Sequence, residues 1–285
     1  MSTPDHDSDP FASGLSSSPP QPAASDSEAA DALPPPIPEG RRVEGGRGGA
    51  WIAEAWRMFK DAPGSWVACF LIFVVIMIVL AIIPVLGNIV GALISPFLVA
   101  GMMVGCRELE RNEELTVAHL FAGFSRNSGP LLVLGLLEFG LSLIVMLIAA
   151  LVIFLTVGMM FVGVLGGQAL DAGVTLDPGF WIGALTMILI VVALFIPVTM
   201  AVWFAPALVV LNNVEPWTAL KWSFFACLKN VWPFFVYGLI MLLLAIVASI
   251  PFALGWLILG PLIIASVYTS YRDIFFASAS APRSA

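Results

Sequence analysis

The segment RNSGPLLVLGLL, Arg126 to Leu137, is repeated in pattern by KNVWPFFVYGLI, Lys229 to Ile240. A fainter third copy, KDAPGSWVACFL, begins at Lys60. Each copy stands where a polar segment enters a long apolar run, so the pattern predicts a membrane-entry motif. Its basic and amide side chains would reach lipid headgroups or cap the preceding helix, and proline is tolerated in a first helical turn. The pairs that match at one fixed offset are Arg126 and Lys229, Asn127 and Asn230, Pro130 and Pro233, Val133 and Val236, Gly135 and Gly238, and Leu136 and Leu239.

The composition around these segments is that of a protein dissolved in lipid. Of the 285 residues, 60% are hydrophobic and 11% are charged, and the mean hydropathy is +0.99. These values lie outside the range of soluble domains. The sequence therefore predicts an all-α integral membrane protein whose main partner is the lipid bilayer, with no nucleic acid.

The first 49 residues have the opposite character. They contain eight acidic residues, three arginines and tracts such as SSSPPQPAAS and LPPPIPEG. Such a segment buries too little apolar surface to offset its ordering entropy. Residues 1–49 are therefore predicted to be a disordered acidic tail, residues 50–275 the membrane domain, and residues 276–285 a short C-terminal tail.

A bilayer core needs about 20 apolar residues per helix, and the apolar runs set the number of spans. A first pair is predicted at Trp66 to Leu86 and Ile89 to Cys106, and a last pair at Val231 to Ile250 and Phe252 to Tyr271. The intervening run, Pro130 to Asn212, has one polar break at Gly166 to Gly179. Read as two long helices, it gives six spans in total.

An alternative of eight spans stays open for this middle region. Residues 130–167 would extend roughly 57 Å as a single helix at 1.5 Å per residue. That length is nearly twice the thickness of the hydrocarbon core. Both six and eight are even numbers, so both place the two termini on the same side of the membrane.

The basic residues predict which side that is. All twelve lie in the tail, before the first, third or fifth span, or beside and beyond the end of the second or last span. The turns on the other side contain none, and the middle outer loop carries only Asp171 and Asp177. The positive-inside rule therefore places both termini in the cytoplasm. The basic residues are Arg41, Arg42, Arg47, Arg57, Lys60, Arg107, Arg111, Arg126, Lys221, Lys229, Arg272 and Arg283.

The segments before each entry motif have the periodicity of amphipathic helices that lie at a membrane interface. In WIAEAWRMFKD, from Trp51 to Asp61, apolar and charged residues occupy opposite faces at 100° per residue. A second echo pairs Pro96 and Arg107 with Pro261 and Arg272, since both pairs have the same internal spacing. The chain thus reads as three units, each an amphipathic helix followed by a transmembrane hairpin. Their approximate limits are residues 50–110, 113–213 and 215–275.

Residues that carry chemistry are scarce. Cys69, Cys106 and Cys227 have no paired spacing and read as small packing residues. No nucleophile motif, metal-ligand cluster, phosphate loop or dinucleotide fingerprint occurs, so we expect no catalytic residues, no metal and no cofactor.

Glu138 is the one ionisable residue well inside a predicted span, eight residues after Pro130. A carboxylate in hydrocarbon costs a few kcal/mol, so such residues usually face a bundle interior, a partner or water. Two interpretations follow. Glu138 is either a carboxyl group that bonds to a neighbouring helix or reaches toward the headgroups, or a substrate- or proton-binding group.

Three segments carry a resemblance: WIAEAWRMFKDAPGSW, CRELERNEELTVAHLFAGF and FAPALVVL. Through them residues 50–275 resemble an uncharacterised family of multi-spanning proteobacterial inner-membrane proteins. They are also distantly similar to the membrane domain found beside bacterial glycerophosphodiester phosphodiesterases, although the catalytic domain has no counterpart here. The resemblance implies an inner-membrane location and transfers no catalytic residue.

Two functions remain open on this basis. The first is a non-enzymatic membrane protein that organises lipids or protein partners at the cytoplasmic face. The alternative is a small-molecule or ion transporter that uses Glu138 at the interface between the repeated units. The sequence leaves the oligomeric state open.

Overall fold

The computed structural model describes residues 34–165, 178–250, 252 and 254–276. Across these ranges the chain forms eleven α-helices and no β-strand. The helices are α1 (Arg47–Asp61), α2 (Pro63–Ala81), α3 (Leu86–Glu110), α4 (Val117–Leu120), α5 (Ala122–Ser125), α6 (Ser128–Leu165), α7 (Pro178–Val202), α8 (Ala205–Asn212), α9 (Pro216–Lys229), α10 (Val231–Ser249) and α11 (Trp256–Phe275).

Five stretches of helix are long and apolar enough to cross a membrane, judged by length and composition. Over its described residues the chain is thus all-helical, as predicted, with several helices capable of spanning a membrane. The five are Pro63–Ala81, Leu86–Glu110, Ser128–Thr156, Ile182–Asn212 and Val231–Ser249.

The sixth predicted span, Phe252 to Tyr271, is not among these five. Most of it lies in α11, which begins at Trp256 and whose last turns are polar. Ser266, Thr269 and Ser270 in that half are buried against the rest of the protein. Because polar side chains replace apolar ones over half its length, α11 is a weaker candidate for crossing lipid than the other long helices.

The middle of the chain is simpler than the eight-span alternative requires. Helix α6 runs unbroken for 38 residues from Ser128 to Leu165 and offers no point at which the chain turns back. The predicted polar break, Gly166 to Gly179, falls almost entirely on residues 166–177, which lie outside the described residues, as do Asp171 and Asp177.

The boundary of the N-terminal tail lies earlier than residue 49. Residues 1–33 are outside the described residues, but the Ile37 and Arg41 N–H groups donate to the carbonyls of Phe275 and Ile274, at 2.8 and 2.9 Å. Arg47 already begins α1. Composition alone suggests a solvated segment here, whereas backbone bonds to α11 and salt bridges order it.

Each amphipathic helix packs on helices of another of the three predicted units. Helices α4 and α5 pack on α3, where an added Cβ at Gly101 would overlap the Leu120 carbonyl. Helix α9 packs on α7 and α8, where the Ser223 hydroxyl donates to the Met200 carbonyl at 2.7 Å. Helix α1 packs on α10 and α11 from the far end of the chain, and the Thr269 hydroxyl donates to the Trp51 carbonyl at 3.0 Å. These contacts close the helices into a ring.

Candidate functional site

Polar side chains gather at the end of the bundle that carries α1 and α9, and Asp273 lies at their centre. Its side chain is only 6% exposed. One oxygen accepts from Arg41 Nη2 at 2.8 Å, and the other accepts from Arg47 Nε at 2.5 Å and Trp51 Nε1 at 2.9 Å. Arg41 Nε also donates to the backbone carbonyl of Asp273 at 2.7 Å. A buried carboxylate is stable in this setting because two guanidinium groups and an indole satisfy it.

The electrostatics of Arg47 follow from the same contacts. Burial works to lower the pKa of its guanidinium, but the hydrogen bond and charge of Asp273 and the charge of Glu54 raise it above the ordinary value. Glu54 is one side of a second ion pair with Arg47, at 3.2 Å. The guanidinium of Arg47 therefore stays charged throughout the physiological pH range.

Asn230 fixes the same N-terminal segment from the other side. It is fully buried, and its amide nitrogen donates to the carbonyls of Arg41 and Ala226, at 2.9 and 2.8 Å. Its amide oxygen accepts the Val43 N–H at 2.8 Å. Lys229 beside it pairs with Glu39 at 2.9 Å. Residues 37–46 are thus held by α9, α10 and α11 together. We call this segment and its bonds to Asp273 and Asn230 the N-terminal clasp.

The predicted membrane-entry motif lies where α5 joins α6 and where α9 joins α10. Pro130 and Pro233 are each the third residue of their helix. Asn230 caps the preceding helix through the Ala226 carbonyl. Asn127 instead donates to the Val209 carbonyl at 2.9 Å and to Asn213 Oδ1 at 2.7 Å. The two asparagines therefore both fasten a helix entry, but they bind different neighbours.

Arg126 leads to a second buried acid. Glu108, near the end of α3, is 6% exposed and pairs with Arg111 at 3.7 Å and with Arg126 at 3.8 Å. Its place after Arg107 in α3 corresponds to that of Asp273 after Arg272 in α11. The two acids occupy matching places in the sequence pattern, but the contacts of Glu108 are longer.

The long helices also meet at this end of the bundle. The Tyr268 hydroxyl donates to Glu110 Oε2 at 2.7 Å, and Arg272 pairs with the other oxygen of Glu110. The Tyr271 hydroxyl donates to Asn212 Oδ1. These bonds join α11 to α3 and α8, so the polar end is a continuous network rather than separate pairs.

Glu138 does not join that network. It lies on α6 one turn beyond Gly135, where an added Cβ would stand 3.1 Å from the Leu93 carbonyl of α3. Glu138 is partly exposed, and within the described ranges no hydrogen bond or ion pair of its side chain is found. The structure therefore separates Glu138 from the six residues of the entry motif.

Potential metal ligands, the three thiols and His119 complete the description of the polar groups. Among them, no group of three His, Cys, Asp or Glu side chains is placed to hold a metal ion. The three thiols are buried and unpaired, and the Cys227 Sγ lies 3.6 Å from the Met200 carbonyl. His119 closes the first turn of α4 through the Thr116 N–H, at 3.1 Å.

Sequence reasoning missed the N-terminal clasp and its centre. The echo of Arg107 and Glu108 in Arg272 and Asp273 had marked the right helix end, and an acid at the end of an apolar helix was the available signal. Nothing in the sequence pairs Asp273 with Arg41, because those residues are 232 positions apart.

Comparison with known proteins gives one informative relative. A "Probable inner membrane protein" of Burkholderia thailandensis is 29% identical over 250 residues, which cover 80% of this chain and 90% of that protein. No family model matches the chain, and no solved structure matches it. The printed name of this relative agrees with the five membrane-capable helices. The chain is thus a membrane protein, helical in the part that the structure describes and similar to a bacterial protein named as a probable inner membrane protein.

Proposed function

We propose that this is a non-enzymatic, multi-pass inner-membrane protein that organises anionic lipids at the cytoplasmic face. In this proposal the chain contains three repeated units and about six spans, and α11 is the sixth. Both termini lie in the cytoplasm. A protein partner bound at the same face is the less specific form of the proposal, and the similarity to the phosphodiesterase-associated membrane domain stays a prediction.

The distribution of charge supports this orientation. Arg57 and Lys60 on α1, Arg126 before α6 and Lys221 on α9 all stand on or beside the amphipathic helices. These helices share one end of the bundle with the N-terminal clasp. Basic residues remain preferentially on the cytoplasmic side of bacterial membranes.

The ring of contacts supports the repeated architecture. Each group has an amphipathic segment followed by long helices, and that segment packs on the long helices of the group before it. A duplicated unit that packs on its neighbour in a closed ring would produce this arrangement. The entry motif and the echo of Arg107 and Glu108 in Arg272 and Asp273 point to the same duplication.

One observation carries the lipid role: the outer faces of the amphipathic helices combine exposed aromatic rings with cations. Trp56 is 42% exposed next to Arg57, and Phe124 is 43% exposed two residues before Arg126. On α9 the Lys221 ammonium lies 5.3 Å from the centre of the Trp217 ring. Aromatic rings favour the headgroup level of a bilayer, and cations there attract anionic lipid at about 1 kcal/mol each.

The test is the lipid dependence of thermal stability. The full chain is reconstituted in nanodiscs of phosphatidylcholine with or without phosphatidylglycerol, and its Tm is measured in each. We expect the anionic lipid to raise the Tm of the natural chain. Combined Arg57→Glu, Lys60→Glu and Lys221→Glu substitutions should abolish that increase while the Tm in pure phosphatidylcholine changes little.

A matched control changes charge at the same end without touching the cations. Glu113→Gln with Glu114→Gln alters two exposed acids between α3 and α4 and should leave the preference for phosphatidylglycerol unchanged or larger. Equal Tm values for the natural chain in both lipids would rule out the lipid role.

Transport through Glu138 is the second candidate, because this carboxyl group lies within a span and makes no hydrogen bond or ion pair with the described residues. Proteoliposomes loaded with a pH-sensitive dye would reveal proton movement. Movement that depends on the natural chain and is lost in Glu138→Gln would support a transporter, and its absence in both would exclude proton transport.

A further inference from the structure

A cleft opens between α7 and α10 beside α9. It has a volume of about 460 Å³. Its walls include Met200 and Trp203 at the end of α7 and Phe234 and Gly238 of α10. Cys227 lines the cleft from α9. The lining is almost wholly apolar, so the cleft suits a hydrocarbon occupant.

The two corresponding pairs of long helices elsewhere in the fold are in close contact, so α7 and α10 would be expected to touch where the cleft lies. At the matching junction between α3 and α6, Gly135 lies so close to α3 that an added Cβ would be 3.1 Å from the Leu93 carbonyl. At the junction between α2 and α11, Gly260 faces the ring of Phe70 without room for a side chain. Gly238 is the sequence counterpart of Gly135, yet an added Cβ there meets no atom within 4 Å. Two junctions are filled by protein, and this one is open.

The wall of the cleft also holds an unused hydrogen-bond donor. Trp203 Nε1 is buried and has no hydrogen-bond partner among the described residues. The indole is held edge-on by Phe234 and Tyr237, with ring centres 5.9 and 6.1 Å away. Buried polar atoms in proteins are almost always satisfied, so this donor lacks an acceptor. Because Nε1 is closed off by protein while the Trp203 side chain lines the cleft, an occupant of the cleft supplies that acceptor once the indole tilts to expose Nε1.

The surroundings identify the class of molecule that supplies the acceptor. The side chains at the mouth face outward from membrane-spanning helices, and Ile196 and Phe235 are 51% and 58% exposed. The medium at the mouth is therefore lipid. Trp203 follows α7 at the level of α9, where the neighbouring Phe204 N–H donates to the Ser223 hydroxyl at 2.9 Å. In a bilayer this is the interfacial level, where the ester groups of phospholipids lie.

We propose that the cleft between α7 and α10 is a binding site for one phospholipid of the inner leaflet, whose acyl chain lies along Phe234 and Gly238. An ester carbonyl of that lipid accepts the Trp203 N–H. This site is separate from the charged outer faces of the amphipathic helices, so it extends the proposed lipid role to a specific, retained molecule.

Gly238→Phe is the decisive variant, because an added Cβ at this lining position meets no protein atom and the ring beyond it takes up space that the lipid would fill. The full chain is purified in mild detergent after incubation with a phosphatidylethanolamine that carries a diazirine on its acyl chain. Irradiation and mass spectrometry of the peptides then locate the attached lipid. We expect the natural chain to retain about one lipid per chain and to be labelled at Met200 or Phe234. Gly238→Phe should reduce that labelling at least tenfold.

Two further variants separate this site from general contact with lipid. Gly183→Phe adds the same ring to an open position elsewhere on α7 and should leave the labelling unchanged. Trp203→Phe keeps the apolar wall but removes the donor, and should reduce retention of the lipid severalfold with an unchanged Tm.

The following results would contradict the proposed lipid site. Labelling spread evenly over the lipid-facing helices, or equal in the natural chain and Gly238→Phe, would overturn the site. Cross-linking of α10 to α10 of a second copy in place of lipid labelling would also overturn it. Neither result depends on the charged residues that test the proposed function, because reversal of Arg57, Lys60 and Lys221 leaves the cleft intact.

Discussion

Two interfaces of the ring, which we call the linked seam and the closing seam, each join an amphipathic segment to long helices. They are stabilised by different polar contacts. In the linked seam, α4 and α5 pack on α3, to which they are joined by residues 111–116. In the closing seam, α1 packs on α10 and α11, which follow it by nearly the whole length of the domain. The linked seam relies on a loose ion pair at Glu108, whereas the closing seam has three donors within 2.9 Å of Asp273.

The difference shows what a polypeptide connection contributes. A short loop keeps α4 beside α3 at a high local concentration, so little additional bonding is needed to hold it there. No loop keeps α1 beside α11, and the N-terminal clasp takes over that task. The buried polar groups are concentrated at the seam where the chain itself provides no connection.

Removal of the Asp273 carboxylate should cause the largest loss of unfolding free energy and so give the sharpest test of the difference between the two seams. Asp273→Ala leaves Arg41, Arg47 and Trp51 without their shared acceptor, and breaking one side of a buried ion pair costs about 3–5 kcal/mol. Glu108→Ala leaves behind Arg126 and Arg111, whose side chains are 58% and 28% exposed and can bind water instead, so it should cost about 1 kcal/mol or less. Chemical unfolding of both variants in the same detergent gives the two values. Equal losses would mean that the closing seam has no special role.

Removal of the Asn230 amide, which binds the backbone of Arg41 and Val43, should cause the next largest loss of unfolding free energy. Asn230→Ala leaves the Val43 N–H and two carbonyls without a partner, and each unsatisfied buried group costs about 1–3 kcal/mol. Asn127→Ala affects a half-exposed site where water can replace the lost bonds, so its cost should stay below about 1 kcal/mol. The ratio of the two losses of unfolding free energy checks the comparison. A larger loss for Asn127→Ala would reverse the ranking of the seams.

The third prediction compares Gly135, which is tightly packed, with Gly238, which has no protein atom near an added Cβ. Gly135→Leu forces α6 away from α3 and should destabilise the protein by about 1–3 kcal/mol, as overpacking does. Gly238→Leu enters space that is free of protein and, in detergent without added lipid, should leave the unfolding free energy almost unchanged. Thermal unfolding of the two variants measures this difference. Similar destabilisation at both positions would show that the cleft is closed in the membrane.

The smallest effect is expected at Glu138. Its side chain has no bonded partner in the described part of the protein, so Glu138→Gln removes an acidic group without leaving a neighbour unsatisfied. We expect the unfolding free energy to change by no more than about 0.5 kcal/mol. Unfolding at neutral pH tests this, and Gly140→Ala, two residues away on the same helix with open space for a Cβ, is a suitable control. A loss of several kcal/mol would reveal a partner for the carboxyl group.

Hydrophobic runs were sufficient to predict most of the helical architecture. The runs beginning at Trp66, Ile89 and Val231 each fall largely within a membrane-capable helix, and α1 buries Trp51, Ile52, Ala55 and Phe59 as its periodicity predicts. These features depend on local composition and spacing. A single sequence contains that information directly.

The N-terminal clasp and the cleft could not be predicted in the same way. Residues 37–46 look solvated because their order comes from distant partners: Asn230 is 187 positions from Val43, and Asp273 is 232 positions from Arg41. The cleft depends on the separation of α7 and α10, and the shared glycine at positions 135 and 238 suggested equal packing. Tertiary distance, which no local pattern records, decides both features.

One side chain on the apolar face of α1 is not covered by protein. Trp56 shares that face in the helical periodicity, but it is 42% exposed and stacks on Phe59 with ring centres 5.5 Å apart. The apolar face of α1 is wider than the surface that α10 and α11 cover, so the ring at its margin is left to the surroundings.

The closing seam also has a consequence for the order of events during synthesis. Helix α1 leaves the ribosome first among the described helices, but Asp273 lies 226 positions after Arg47. At about 5–20 residues per second, α1 waits on the order of tens of seconds for its binding surface. Its apolar face must rest meanwhile on the membrane or on the insertion machinery. Completion of the domain is therefore a late event, and a chain that stops before α11 lacks Asp273 and one of the two helices on which α1 docks.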